Sequence, residues 1–293
     1  MVERDSGLKR GSHLARRLWA LAGVVALLGV VAYLAGTVLG GSSTSATTAA
    51  TSTIAAPKPF RIVFPEGFTR AQMAERVAVV AKIAEHERHV RPRLSTTSYL
   101  AASRPRVVSG FGPHTRPLEG FLFPATYDFL ARSTSRQLVA AQLAAFRRTW
   151  GELDLSYARS RNLTPYDVLI IASMVEREAQ VPSERAKIAA VIYNRLHAGM
   201  PLQIDATTRY GLHVPPTQAL TESQLHSDNP YNTRNHLGLP PTPISNPGLA
   251  AMQAAAHPAK VDYLYYVRMP DHRHHYFTND YNDFLAHERA YGY

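Results

Sequence analysis

Residues 164–178 read TPYDVLIIASMVERE, and the rest of the chain can be arranged around them. Thr164 is a good helix N-cap, and Pro165 suits the first helical position, where a missing N–H costs nothing. Asp167 completes a capping-box-like Thr-x-x-Asp, with Asp in place of the usual Glu or Gln. Val168, Leu169, Ile170, Ile171, Ala172, Met174 and Val175 make the implied helix apolar nearly all round, so it belongs at the centre of a domain. It ends in two carboxylates, Glu176 and Glu178. A carboxyl group pressed against apolar packing resists ionisation, and a raised pKa is what a general acid needs. Two positions apart on a helix is about 200°, so both cannot enter one site unless the helix ends between them. Glu176 shares a face with Ala172 and Ser173, whose small side chains leave room for a ligand, and is the expected acid. The competing reading pairs both glutamates with Arg177, Arg185 or Lys187.

Downstream, Ser183 to Leu196 places Ile188, Val191, Ile192 and Leu196 on one helical stripe, and Gly199 stops it. Gly199, Met200 and Pro201 turn the chain. Gln203, Asp205, Thr207 and Thr208 then alternate with Leu202, Ile204 and Ala206, which predicts a short extended segment with one polar face. Such a face suits a sugar-like ligand; the alternative is a solvated strand face. Pro215, Pro216, Pro230, Pro240, Pro241, Pro243 and Pro247 stiffen the long loops that follow. Upstream, residues 60–67 predict a strand and turn. Thr69 predicts the cap of a helix from Arg70 to about His86, striped by Met73, Val77 and Val80.

These pieces resemble the MltG-type endolytic murein transglycosylases of the YceG-like family. The matching segments are residues 118–127 (LEGFLFPATY), the Glu-x-Glu at Glu176, Glu184-Arg185, residues 194–196 (NRL), 200–205 (MPLQID), 230–233 (PYNT), 238–241 (GLPP) and 244–248 (ISNPG). They run in the family's order from residue 118 to about 290. The resemblance implies an α+β fold: a lysozyme-like helical catalytic core with added short strands, over residues 116–293. A small, shortened LysM-like strand–helix unit precedes it over residues 60–115. The family's catalytic glutamate falls on Glu176. It would protonate the glycosidic oxygen between MurNAc and GlcNAc, then act as base while the MurNAc C6 hydroxyl attacks C1, leaving a 1,6-anhydro end. Glu119, Ser173, Gln203, Asp205, Thr207, Tyr231, Asn232, Thr233 and Asn246 are expected to bind substrate. Glu119 and Asp205 are candidates for a second carboxylate, as most glycosidases use. No cofactor is implied. The chain departs from the pattern at Asp205-Ala206, Arg234 and Thr242, which touches the flanking sugar contacts more than the catalytic step. The alternative function is an inactive wall-binding or scaffolding protein of the same fold.

The N-terminus predicts where such chemistry happens. Leu18 to Leu39 is 22 residues without a charge, enough to span a bilayer as a helix. Arg4, Lys9, Arg10, Arg16 and Arg17 precede it, placing residues 1–17 in the cytoplasm and the rest outside. A cleaved signal peptide is the alternative, but its apolar core is usually shorter, about 7–15 residues. The Arg16-Arg17 pair lacks the rest of a twin-arginine signal. Residues 40–59, rich in Ser, Thr, Ala and Gly, read as a flexible linker of roughly 25 Å typical span. The expected partners are glycan strands, membrane lipid through residues 18–39, and a peptidoglycan synthase.

The net charge is +10 with a pI near 9.9, and +7 of it lies beyond the anchor, which suggests an anionic neighbour such as lipid headgroups or wall polymers. No zinc-finger or recognition-helix signature points to nucleic acid. The absence of cysteine rules out thiol nucleophiles and thiolate metal sites. Residues 271–275 (DHRHH), with His257, invite a metal reading. The alternation of residues 263–267 and 276–277 instead predicts a hairpin with these histidines at its turn, and no metal is expected. Ser173 lacks the Gly-x-Ser-x-Gly elbow of a hydrolase nucleophile and sits within a helix.

Overall fold

The structure, a computed structural model, describes residues 58–292. The basic tail, the anchor at 18–39 and nearly all of the linker lie outside the described residues. Among the described residues, no helix is long and apolar enough to cross a membrane. The described residues mix helices with three two-stranded antiparallel sheets.

The chain enters through β1 (Phe60–Val63), which buries Ile62 and leaves Arg61 and Val63 out. Thr69 caps α1 (Arg70–Arg88) in a full capping box with Gln72, and Met73, Ala74 and Val77 turn inward. Then come α2 (Thr96–Ala102), β2 (Arg106–Val107), β3 (Thr115–Arg116) and β4 (Thr126–Phe129). β1 pairs with β4, Ile62 opposite Tyr127, so the expected divide at residues 115/116 is spanned by a sheet. Thr134 and Gln137 cap α3 (Ser135–Gly151), whose Phe146 and Trp150 stack and close on Phe111.

After the short α4 (Ser156–Ser160) comes α5 (Pro165–Glu178), the central helix. Thr164 and Asp167 form its capping box, and Val168, Leu169, Ile171, Ala172, Met174 and Val175 are fully buried. A 3-10 turn, Pro182–Glu184, leads into α6 (Arg185–His197), and Gly199 ends that helix with φ +65°. α6 packs on α5, and so does α9 (Leu249–Ala256), an alanine-rich helix whose small side chains allow close approach.

The segment expected to be extended is corrected: Asp205–Leu212 is a helix, α7. Thr207 is not on a strand face; its hydroxyl donates to the Ile204 carbonyl at 2.7 Å, in the manner of a helix start. Four alternating polar positions are too few to set a strand against a two-turn helix with Asp in its first turn. A long loop with one helical turn, α8 (Glu222–Leu225), precedes α9. β5 (Tyr265–Arg268) and β6 (His275–Thr278) form the expected hairpin, and α10 (Tyr281–Tyr291) packs on it.

Candidate active site

Glu176 and Glu178 leave the end of α5 toward different partners, as their spacing requires. Glu176 faces the segment joining β1 to α1 and the start of α9. Its Oε2 accepts from the Gly248 N–H at 3.0 Å, and its methylene lies against Gly67. Burial, then the neighbouring Glu66 charge, raise its pKa against the opposing Gly248 bond. Glu178 is half-buried on the side of α7 and the hairpin. The Tyr266 hydroxyl donates to its Oε2 at 3.2 Å, and Asp205, Arg268 and His275 are near enough to act on its charge. Burial raises its pKa most, and Asp205 adds to this; His275, Tyr266 and Arg268 oppose. Burial thus pushes both carboxyl groups toward the protonated form, and only their surroundings separate them.

The residues expected to bind substrate divide sharply. Gln203 and Asp205 are accessible. Gln203 adopts φ +55°, its N–H bonded to the Thr233 carbonyl and its Oε1 accepting from Arg195. Asp205 accepts from Arg234 at 2.7 and 3.1 Å, with both side chains partly in solvent. Arg234, one of the positions where the chain departs from the expected pattern, is thus the partner of Asp205. Tyr231 packs on Tyr210 with the rings tilted 58° to each other, and its hydroxyl meets Thr242 at 2.8 Å.

The other expected contacts are interior ties, a correction to the reading of them as cleft-lining groups. Ser173, Thr207, Asn232, Thr233 and Asn246 are at most 1% exposed. Ser173 donates to the Ile170 carbonyl and accepts from the Ile244 N–H, and its carbonyl accepts from Ser245, so it pins the 244–245 loop on α5. Asn232 accepts from Thr208 and donates to the Leu225 and Ser227 carbonyls, while Thr233 accepts from the Ile204 N–H and pairs with Thr207. Asn246 accepts from the Leu122 N–H and donates to Phe68 and Glu119. Polar side chains this buried need such partners, and these have found them inside the protein.

Glu119 is buried too. It accepts from the Arg70 N–H, the Tyr210 hydroxyl and Asn246, and burial pushes its pKa up to about 7 despite these donors. It ties α1, α7 and the Asn246 loop together, away from solvent, so it is no second carboxylate at the surface.

Sequence reasoning passed over Tyr266, Arg195 and the pairing of Glu184 with His275. Arg195 donates to the carbonyls of Leu264, Pro201 and Leu202, fastening the hairpin and the chain before α7 to α6. Its motif, residues 194–196, was visible; its partners were not. Among the described residues no three potential metal-binding side chains converge. His274 pairs with Asp271, whereas His275 turns inward to Glu184.

Comparisons with known proteins bear on the family and the fold. A chain of Bacillus subtilis (strain 168) named endolytic murein transglycosylase is 34% identical over 214 residues, covering 71% of this chain and 59% of that one. A protein of the same name from Streptococcus pneumoniae (strain R6) is 33% identical over 242 residues, covering 76% and 43%. The chain thus spans about half the length of the curated relatives it matches. A crystal structure of a yceG-like protein from Listeria monocytogenes superposes with a TM-score of 0.61 at 28% identity, covering 78% of this chain and 75% of that one. The profile of the YceG-like family matches residues 35–290, and the chain belongs to that family.

Proposed function

We propose that this protein is an endolytic murein transglycosylase whose acid–base group is Glu178. The carrying observation is the setting of Glu178: a carboxyl group whose pKa burial raises, held by Tyr266, and acted on by the accessible Asp205, which Arg234 pairs. The name shared by the curated relatives supports the reaction class. Protonated Glu178 gives its proton to the glycosidic oxygen as the bond to MurNAc C1 breaks. The C6 hydroxyl of the same sugar bonds to C1, and its proton returns to Glu178. Atoms balance without water, and one carboxyl group serves as acid and then base.

The charge-free run Leu18–Leu39 behind a basic tail supports an anchor with residues 60–293 outside the membrane. A tether of about 25 Å then keeps the enzyme where new glycan emerges. It would cut nascent strands near their synthase and limit their length.

A second assignment keeps Glu176 as the acid, favoured by the Glu66 carboxylate beside it over Gly248. Digestion of long, uncrosslinked glycan by the full chain separates the two. Mass spectrometry should find 1,6-anhydro ends, with strands of intermediate length appearing first. Glu178→Gln should lower turnover by at least about 100-fold, the scale of a lost acid–base group, and Glu176→Gln by less than tenfold. Inactive Glu176→Gln beside active Glu178→Gln would reverse the assignment. Hydrolysed, non-anhydro ends would defeat the reaction class.

A further inference from the structure

One buried pair has no part in the chemistry above. Glu184, in the 3-10 turn before α6, accepts from His275 twice: from its backbone N–H at 3.0 Å and from ring Nδ1 at 2.8 Å. The His275 side chain is 2% exposed and that of Glu184 7%. Two bonds to one carboxylate fix both the ring plane and the proton on Nδ1. The ring stands edge to face with Tyr266, centroids 5.2 Å apart and planes at 82°. Tyr266 in turn donates to Glu178. A buried pair of this kind is a poor source of stability, since apolar residues of the same shape do as well or better. Its place behind the proposed acid suggests a different use.

We propose that Glu184 and His275 form a positioning pair for Glu178, holding the Tyr266 ring so that its hydroxyl stays on the Glu178 carboxylate. This rests on the reading of Glu178 as the acid–base group. The groups that face Glu178 are Tyr266 and Arg268 from β5, His275 from β6 and Asp205 from α7, with Arg195 of α6 facing Tyr266. α9 carries no charged residue. Tyr266, His275 and Arg268 favour the ionised carboxylate; burial and Asp205 oppose it. Removing the Tyr266 hydroxyl or the His275 ring leaves Glu178 harder to ionise. Activity that needs its proton then persists to higher pH.

The test is the pH profile of kcat/KM for the full chain on uncrosslinked glycan, with thermal melting measured alongside. Tyr266→Phe and His275→Gln should each move the alkaline limb up by about half a pH unit or more. Each should lower kcat on the order of tenfold, as misplacement does, with KM changed less than about threefold. A limb that stays in place in Tyr266→Phe, or in a folded His275→Gln that merely melts earlier, would overturn the proposal. If His275→Gln does not fold, Glu184→Gln, which can still accept from the His275 N–H, is measured in its place, and an unmoved limb there overturns the pair's role. Active Glu178→Gln would remove the underlying reading and this pair's role with it. Inactive Glu178→Gln with unmoved limbs would remove only the positioning pair.

Discussion

Glu119 is the buried carboxyl group whose titration bears most directly on stability. Its pKa rises from the ordinary 4.5 to about 7 because burial outweighs the Arg70, Tyr210 and Asn246 donors. The folded state therefore keeps a proton that the unfolded chain releases near pH 4.5. Its contribution is fully present below about 4.5 and is lost as pH rises through about 7, a loss of up to about 3 kcal/mol. Glu119→Gln should remove this slope. Its amide can donate to the Tyr210 hydroxyl where Oε2 now accepts, while Oε1 keeps Arg70 and Asn246. Urea midpoints at pH 5 and pH 8 check this: the gap between them should narrow in the variant. An unchanged gap would show that Glu119 is ionised in the folded protein throughout.

At the scale of the element, α5 combines a strong start with a functional end. Thr164 accepts from the Asp167 N–H at 3.2 Å and Asp167 accepts from the Thr164 N–H at 2.8 Å, satisfying two donors that the first turn leaves open. Thr164→Ala should cost about 1 kcal/mol. Glu178 lies roughly 20 Å along the helix from this cap. Turnover and its pH profile should therefore stay as in the unmodified chain while the urea midpoint falls. A changed pH profile would mean that fraying at the cap reaches the far end. α7 is the contrasting case: too short to be marked by periodicity, it is held by Thr233 on the Ile204 N–H and by Asn232 on Thr208.

For the molecule as described, the β1–β4 pairing ties the N-terminal strand into one compact unit with the rest of residues 58–292. Ile62 is fully buried in a core that includes Phe64, Tyr99 and α5. Ile62→Ala should destabilise by about 2–5 kcal/mol, and α5 amides should lose hydrogen-exchange protection by the same free energy as those of α1. Two separate melting transitions, or α5 amides untouched by the change, would show the N-terminal strand and helix to be an independent unit.

Local signals made several elements legible. Thr164, Pro165 and Asp167 start α5, Thr69 starts α1, and Gly199 ends α6, because caps and turns are chemistry among neighbours. The apolar run before Glu176 likewise required a buried helix, and the alternation around residues 263–277 a hairpin. The resemblance carried by short motifs pointed to the family, though not to the work of each residue. Asn232, Thr233 and Asn246 looked like glycan contacts because they are polar and lie in loops. Burial made them interior ties, with Asn246 meeting Glu119 across 127 residues of sequence. The choice between Glu176 and Glu178 has the same origin. The helix sets them on different sides, but what each side contains comes from Gly248, Asp205, Tyr266 and His275. A carboxyl group's acidity depends on the neighbours that burial brings to it, and those neighbours are assembled only when distant segments pack.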